Sequence, residues 1–145
     1  MRTAAEFMTS PAQDDKNTFR LVHEALLIPM QNIQAQSRVF PEARKHFQDF
    51  SSAFIVYLTR QNDAFYSRLV TRCVADRGAL AKIAFFREDL KEIKVAFFMF
   101  QEKYIAGVPR PLDIRRFPLE SARFFDLVRA RIKAEEECLL PLMDL

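Results

Sequence analysis

Glycine is almost missing from this chain, with two residues in 145 against fifteen phenylalanines. Sheet proteins need a turn residue roughly every ten positions, and glycine is the usual one, whereas a few long helices need very few. The shortage excludes most all-β designs and favours helices. Long apolar runs are also lacking. Uncharged apolar stretches such as Val95 to Gln101 fall far short of the roughly 20 apolar residues that span a bilayer, so no membrane segment is expected. Met1 to Gln13 hold no apolar core, so no secretory signal is expected either. Cysteine is scarce. Cys73 and Cys138 lie in apolar helical contexts without metal-like spacing, as buried free thiols in a reducing cytoplasm would. No Gly-rich phosphate loop, Cys–His pairing or strand-to-helix serine elbow is present, and the chain is not expected to be an enzyme. No basic helix interleaved with aromatics is present, so nucleic acid is not an expected partner.

What the chain does hold is apolar periodicity. Half of its residues are hydrophobic and 28% are charged, the balance of a single globular domain. Residues 1–13 read as a tail, because Ser10-Pro11 disfavours helix, and Asp14, Asp15 and Asn17 suit a helix start. A first helix is predicted over 18–36 with Phe19, Val22, Leu26, Met30 and Ile33 on one face and Pro29 kinking or shortening it. A second is predicted over 42–76, carrying Phe47, Phe50, Phe54, Leu58, Phe65 and Leu69. The third, over 79–106, has Ile83, Phe86, Leu90, Ile93, Phe97, Phe100 and Tyr104 at unbroken helical spacing, and Gly107 closes it. A stiff linker from Val108 to Phe117 leads to a fourth helix over 118–141, opened by Pro118. Four amphipathic helices bury their stripes together as an antiparallel up-down-up-down bundle over 14–145.

Two of these stripes are broken by a polar residue. Gln61 interrupts the second helix between Leu58 and Phe65, and Glu135 interrupts the fourth between Ile132 and Leu139. A buried carboxylate costs several kcal/mol unless it is paired, so its place in a stripe needs a reason. The breaks share a pattern: Tyr57-x-x-x-Gln61-Asn62-x-x-Phe65-Tyr66 and Arg131-x-x-x-Glu135-Glu136-x-x-Leu139-Leu140. The run from Arg131 to Leu142, with Pro141 after its two leucines, resembles the last helix of the hemerythrin-like (HHE cation-binding) family. That family reads His-x-x-x-Glu in both helices, with lone histidines from the other two completing a di-iron centre. The resemblance implies a hemerythrin-like four-helix bundle in which Glu135 keeps its family identity and His23 matches the first helix's histidine. Tyr57, Gln61 and Arg131 stand at ligand positions without being the ligands, and no histidine falls in the third helix.

Counting at about 1.5 Å per residue places His23 and Tyr57 within roughly 3 Å of one level in antiparallel neighbours, and puts Ile93 to Phe98 at that level in the third helix. Lys94 is the charged residue there, and His46 falls well away from it. Arg131 would put a fixed positive charge where a metal's charge would be. The expectation is a hydrogen-bonded cluster of His23, Tyr57, Gln61, Arg131 and Glu135 with no metal and no cofactor. The competing arrangement turns Arg131 and Lys133 to solvent, leaving Glu135 and Gln61 to dip inward.

The expected role is a cytoplasmic regulatory or signalling interaction module whose protein partner the sequence does not name. Two other roles stand beside it: an iron or oxygen sensor with a reduced ligand set around His23 and Glu135, and histidine phosphotransfer through His23. Candidate contact residues are Val95, Phe98 and Met99, on the third helix away from its core stripe, and Arg110, Arg115 and Arg116 in the linker. Val95, Phe98 and Met99 either pair the chain as a homodimer or lie under the linker.

Overall fold

The computed structural model describes residues 11–144, with side chains from Asp15 onward, and these are almost entirely helical with no strand among them. Five α-helices run in order: α1 (Pro11–Ala35), α2 (Phe40–Arg60), α3 (Asp63–Arg72), α4 (Arg77–Gln101) and α5 (Pro111–Cys138). A single π turn, Glu102–Ala106, prolongs α4, and a 3-10 turn, Leu140–Asp144, closes the chain. Helix α1 lies along α2, both α1 and α4 touch α5, and α3 packs on α4.

The helix boundaries correct the sequence reading in three places. First, α1 starts at Pro11, inside the expected tail, because the first turn of a helix is where proline's missing N–H costs nothing. Residues 1–10 of that tail lie outside the described residues. Pro29 does not end α1 either. Leu26, Met30 and Ile33 are fully buried on either side of it, and this packing carries the helix past the missing hydrogen bond.

Second, the single helix expected over 42–76 is two helices. Asn62 adopts an extended backbone and its side chain accepts from the Phe65 N–H at 2.9 Å, capping α3 and breaking the line of α2. Helix α3 then stops at Arg72, and Asp76 caps α4 by accepting from the Ala79 N–H at 3.0 Å.

Third, the linker expected over 108–117 is short. Helix α5 begins at Pro111, Asp113 accepts from the Arg110 N–H at 3.1 Å, and Pro118 lies inside the helix. Arg115 and Arg116 are therefore exposed on α5 itself, and of the three arginines Arg110 alone stays in the connection.

The predicted stripes are buried, with Leu58 and Leu90 half-buried. They form two apolar cores rather than one. The larger is rich in phenylalanine: Phe54 stacks on Phe97 with centroids 4.3 Å apart, and Phe100 on Phe124 at 5.0 Å. Such aromatic pairs add about 0.5–1.5 kcal/mol each beyond their buried area. The smaller core gathers Phe19, Phe65, Leu69, Ile83, Phe86, Leu139 and Met143 around the closing turn. Cys73 is buried in this core, which pushes its thiol upward, while Cys138 is half-buried, and both are free.

Candidate functional site

Between the two cores lies a layer of polar side chains. Along α5, Glu135 stands between Ile132 of the larger core and Leu139 of the smaller; along α1, His23 stands between Leu26 and Phe19. The last turn of α2 supplies Tyr57, the α2–α3 break supplies Gln61, and α3 adds Tyr66. Gln61, the residue that ends α2, is four positions on from Tyr57 and so lies on the same face.

Glu135 is fully buried. Its Oε1 accepts from the Tyr57 hydroxyl, from Gln61 Nε2 at 2.7 Å and from Arg131 Nε, while its Oε2 faces His23 Nε2 at 2.7 Å. Arg131, 4% exposed, places every one of its guanidinium donors. Nε serves Glu135 and lies 3.3 Å from the Tyr57 oxygen. One terminal nitrogen donates to the Phe86 carbonyl and to Asp89, both at 2.9 Å; the other donates to Gln61 Oε1 at 3.1 Å and the Tyr66 hydroxyl at 3.3 Å. The guanidinium also lies over the Phe86 ring, 4.8 Å from its centroid. Tyr66 in turn donates to Gln61 Oε1 at 2.8 Å.

The electrostatics follow from this geometry. Burial pushes the Glu135 carboxyl up, but the hydrogen bond from His23 and the charge of Arg131 outweigh it and hold the carboxyl below the ordinary glutamate range. Burial pushes Tyr66 up to about 12 and Tyr57 well above its usual value, with the Glu135 charge adding to both, so these hydroxyls stay protonated as donors. Burial works against the Arg131 charge, and the neighbouring Tyr57 and Glu135 oxygens restore it and raise its proton affinity. His23 Nδ1 faces Glu136 Oε1 at 3.1 Å. Ionised carboxylate oxygens only accept, so both His23 contacts become hydrogen bonds when both ring nitrogens carry hydrogen.

The five residues named from the sequence therefore meet, and the arrangement with Arg131 in solvent is overturned. The level in α4 is corrected. Lys94 is exposed, and α4 meets the cluster at Phe86 and Asp89, because rise counting continued straight through a helix that is broken at Asn62. Tyr66, Asp89 and Glu136 were missed as members. Asp89 had a legible signal, as the one acid between the stripe residues Phe86 and Ile93 on their side of the helix. Val95, Phe98 and Met99 are 58%, 47% and 67% exposed, so no linker covers them, and Arg110 pairs with Asp113. His46 is half-buried and apart from the cluster.

The donor set does not suit a pair of iron ions. Among the described residues no three His, Cys, Asp or Glu are grouped to hold a metal. Glu135, the one fully buried carboxylate among the described residues, already accepts from four donors, one of them a guanidinium that cannot give up its charge.

One side of the layer is open. A cleft of about 360 Å³ between α1 and the α2–α3 break has His23, Tyr57 and Gln61 at its base and Phe19, Val22 and Phe65 on its walls. No protein-family model, curated protein or solved structure matches this chain.

Proposed function

We propose that this protein is a non-catalytic, hemerythrin-like bundle that acts as an interaction module, with a polar layer where the hemerythrin-like pattern would place metal. In this reading α2 and α3 count as one broken helix, giving four helices in up-down-up-down order, and the molecule works in the cytoplasm as a regulatory component. The observation that carries it is Arg131. Its guanidinium satisfies Glu135, Gln61, Tyr66 and the α4 backbone together, so the place of a reactive centre is filled by a closed structural network. Function then falls to the surface, where Val95, Phe98 and Met99 form an exposed apolar group on α4.

The partner considered first is a second copy of the chain, meeting through that group. Sedimentation of the wild type and of Phe98→Glu with Met99→Lys tests this. The wild type is expected to dimerise and the double variant to remain folded as a monomer. A wild type that is monomeric at high micromolar concentration removes the dimer, and the same pair of variants then serves in affinity capture from native extract. About two irons per chain after growth in iron-rich medium would replace the whole reading with a metal sensor. Phosphotransfer is disfavoured by the 1% exposure of His23 and by carboxylates at both ring nitrogens.

A further inference from the structure

The cleft over the polar layer has a chemical bias in what it leaves unused. Gln61 Nε2 gives one hydrogen to Glu135, and its second has no partner among the described residues. The Asn62 side chain spends its oxygen on capping Phe65, and its amide hydrogens have no partner among the described residues. Arg60, exposed at the mouth, and the Thr18 hydroxyl have no partner among the described residues either. The carboxylate at the mouth, Asp15, is already held by Arg68 at 3.0 and 3.2 Å and approached by Arg72 at 3.8 Å. The unpaired charge in the cleft is thus the Arg60 cation, with amide hydrogens of Gln61 and Asn62 beside it, and its one lining carboxylate among the described residues is paired. Phe19 and Phe65, stacked on one another with centroids 6.3 Å apart, line it together with Val22. The volume falls within the range of small-molecule sites.

We propose that this cleft binds a small organic monoanion: a flat or branched carboxylate whose apolar body lies against Phe19, Val22 and Phe65 and whose charge meets Arg60, Asn62 and Gln61. One unpaired guanidinium selects a single negative charge. Arg68 is committed to Asp15 and adds little to it. A cation finds no unpaired carboxylate among the described lining residues, because Glu135 is enclosed behind Tyr57 and Gln61 and Asp15 is paired. The site does not depend on the partner-binding reading, since its residues and those of the α4 surface are different.

Naphthoate and its neutral, near-isosteric amide test this on the full chain by isotope-edited NMR. Naphthoate is expected to give saturable shifts at Phe19, Val22 and Phe65 and to bind about fivefold more tightly than naphthamide, the scale of one exposed ion pair. Arg60→Gln should erase that preference by weakening naphthoate to the level of naphthamide. Arg60 is exposed, so the variant keeps the fold. Equal affinity for the two probes overturns the proposal. So do shifts confined to the Val95, Phe98 and Met99 surface, an unchanged preference in Arg60→Gln, or no saturation.

Discussion

Replacing Arg131 with methionine keeps the unbranched stem of the side chain and removes its charge and all of its donors. Glu135 would retain Tyr57, Gln61 and His23, so its hydrogen bonds survive in part, but its fixed countercharge is gone. The Phe86 carbonyl and Asp89 also lose a donor. Breaking a buried pair by removing one partner costs about 3–5 kcal/mol, since a charge is left uncompensated. At this chain length each kcal/mol moves the melting point by roughly 3 °C, so a loss near 10 °C is expected. Glu135→Leu alone should also be harmful, because it leaves the buried guanidinium with the part-exposed Asp89 as its counter-ion. The double variant should recover much of the loss, giving a coupling energy of at least about 2 kcal/mol. Urea unfolding of the four proteins measures each term. An Arg131→Met change that costs less than about 0.5 kcal/mol, or two losses that simply add, would refute the claim that the two charges hold each other inside the fold.

Acid should act through the same carboxyl. Its folded proton affinity is depressed below the ordinary value of 4.5, so its contribution is complete above that pH, erodes below it and vanishes once pH falls through the folded value. Urea midpoints between about pH 6 and pH 3 should therefore fall less steeply in Glu135→Gln than in the wild type, and parallel slopes would refute the assignment. Asn62→Ala removes the cap that starts α3 and should cost about 1 kcal/mol in the same assay; no loss would mean that packing alone breaks the helix.

The apolar stripes were legible because burial imposes a 3.6-residue period, and phenylalanine at those positions leaves little ambiguity. The cluster was legible for a related reason: Gln61 and Glu135 violate stripes that are otherwise intact, and a violation of that kind has to be satisfied by neighbours. Less was legible at the capping residues. Asn62 reads in sequence as one polar residue on a helix, and its role emerges from a single side-chain bond to Phe65 that periodicity does not encode. Proline misled in both directions. Pro11 and Pro111 open helices and Pro118 sits inside one, because a ring is tolerated wherever the opposing carbonyl is free or the flanking turns are well packed. The arginines of the expected linker were misplaced by the same error.

The division of the interior into two apolar cores bears on how the helices find their alignment. Phenylalanine rings are forgiving partners, and a core built largely from them can be filled by more than one sliding arrangement of its helices. The polar layer admits one. Moving α5 by a single turn, about 5.4 Å, would carry Arg131 and Glu135 into apolar surroundings and leave the donors of Tyr57 and Gln61 facing rings. The layer thus serves as a vernier: it contributes modestly to how tightly the helices hold, and sets where along one another they come to rest.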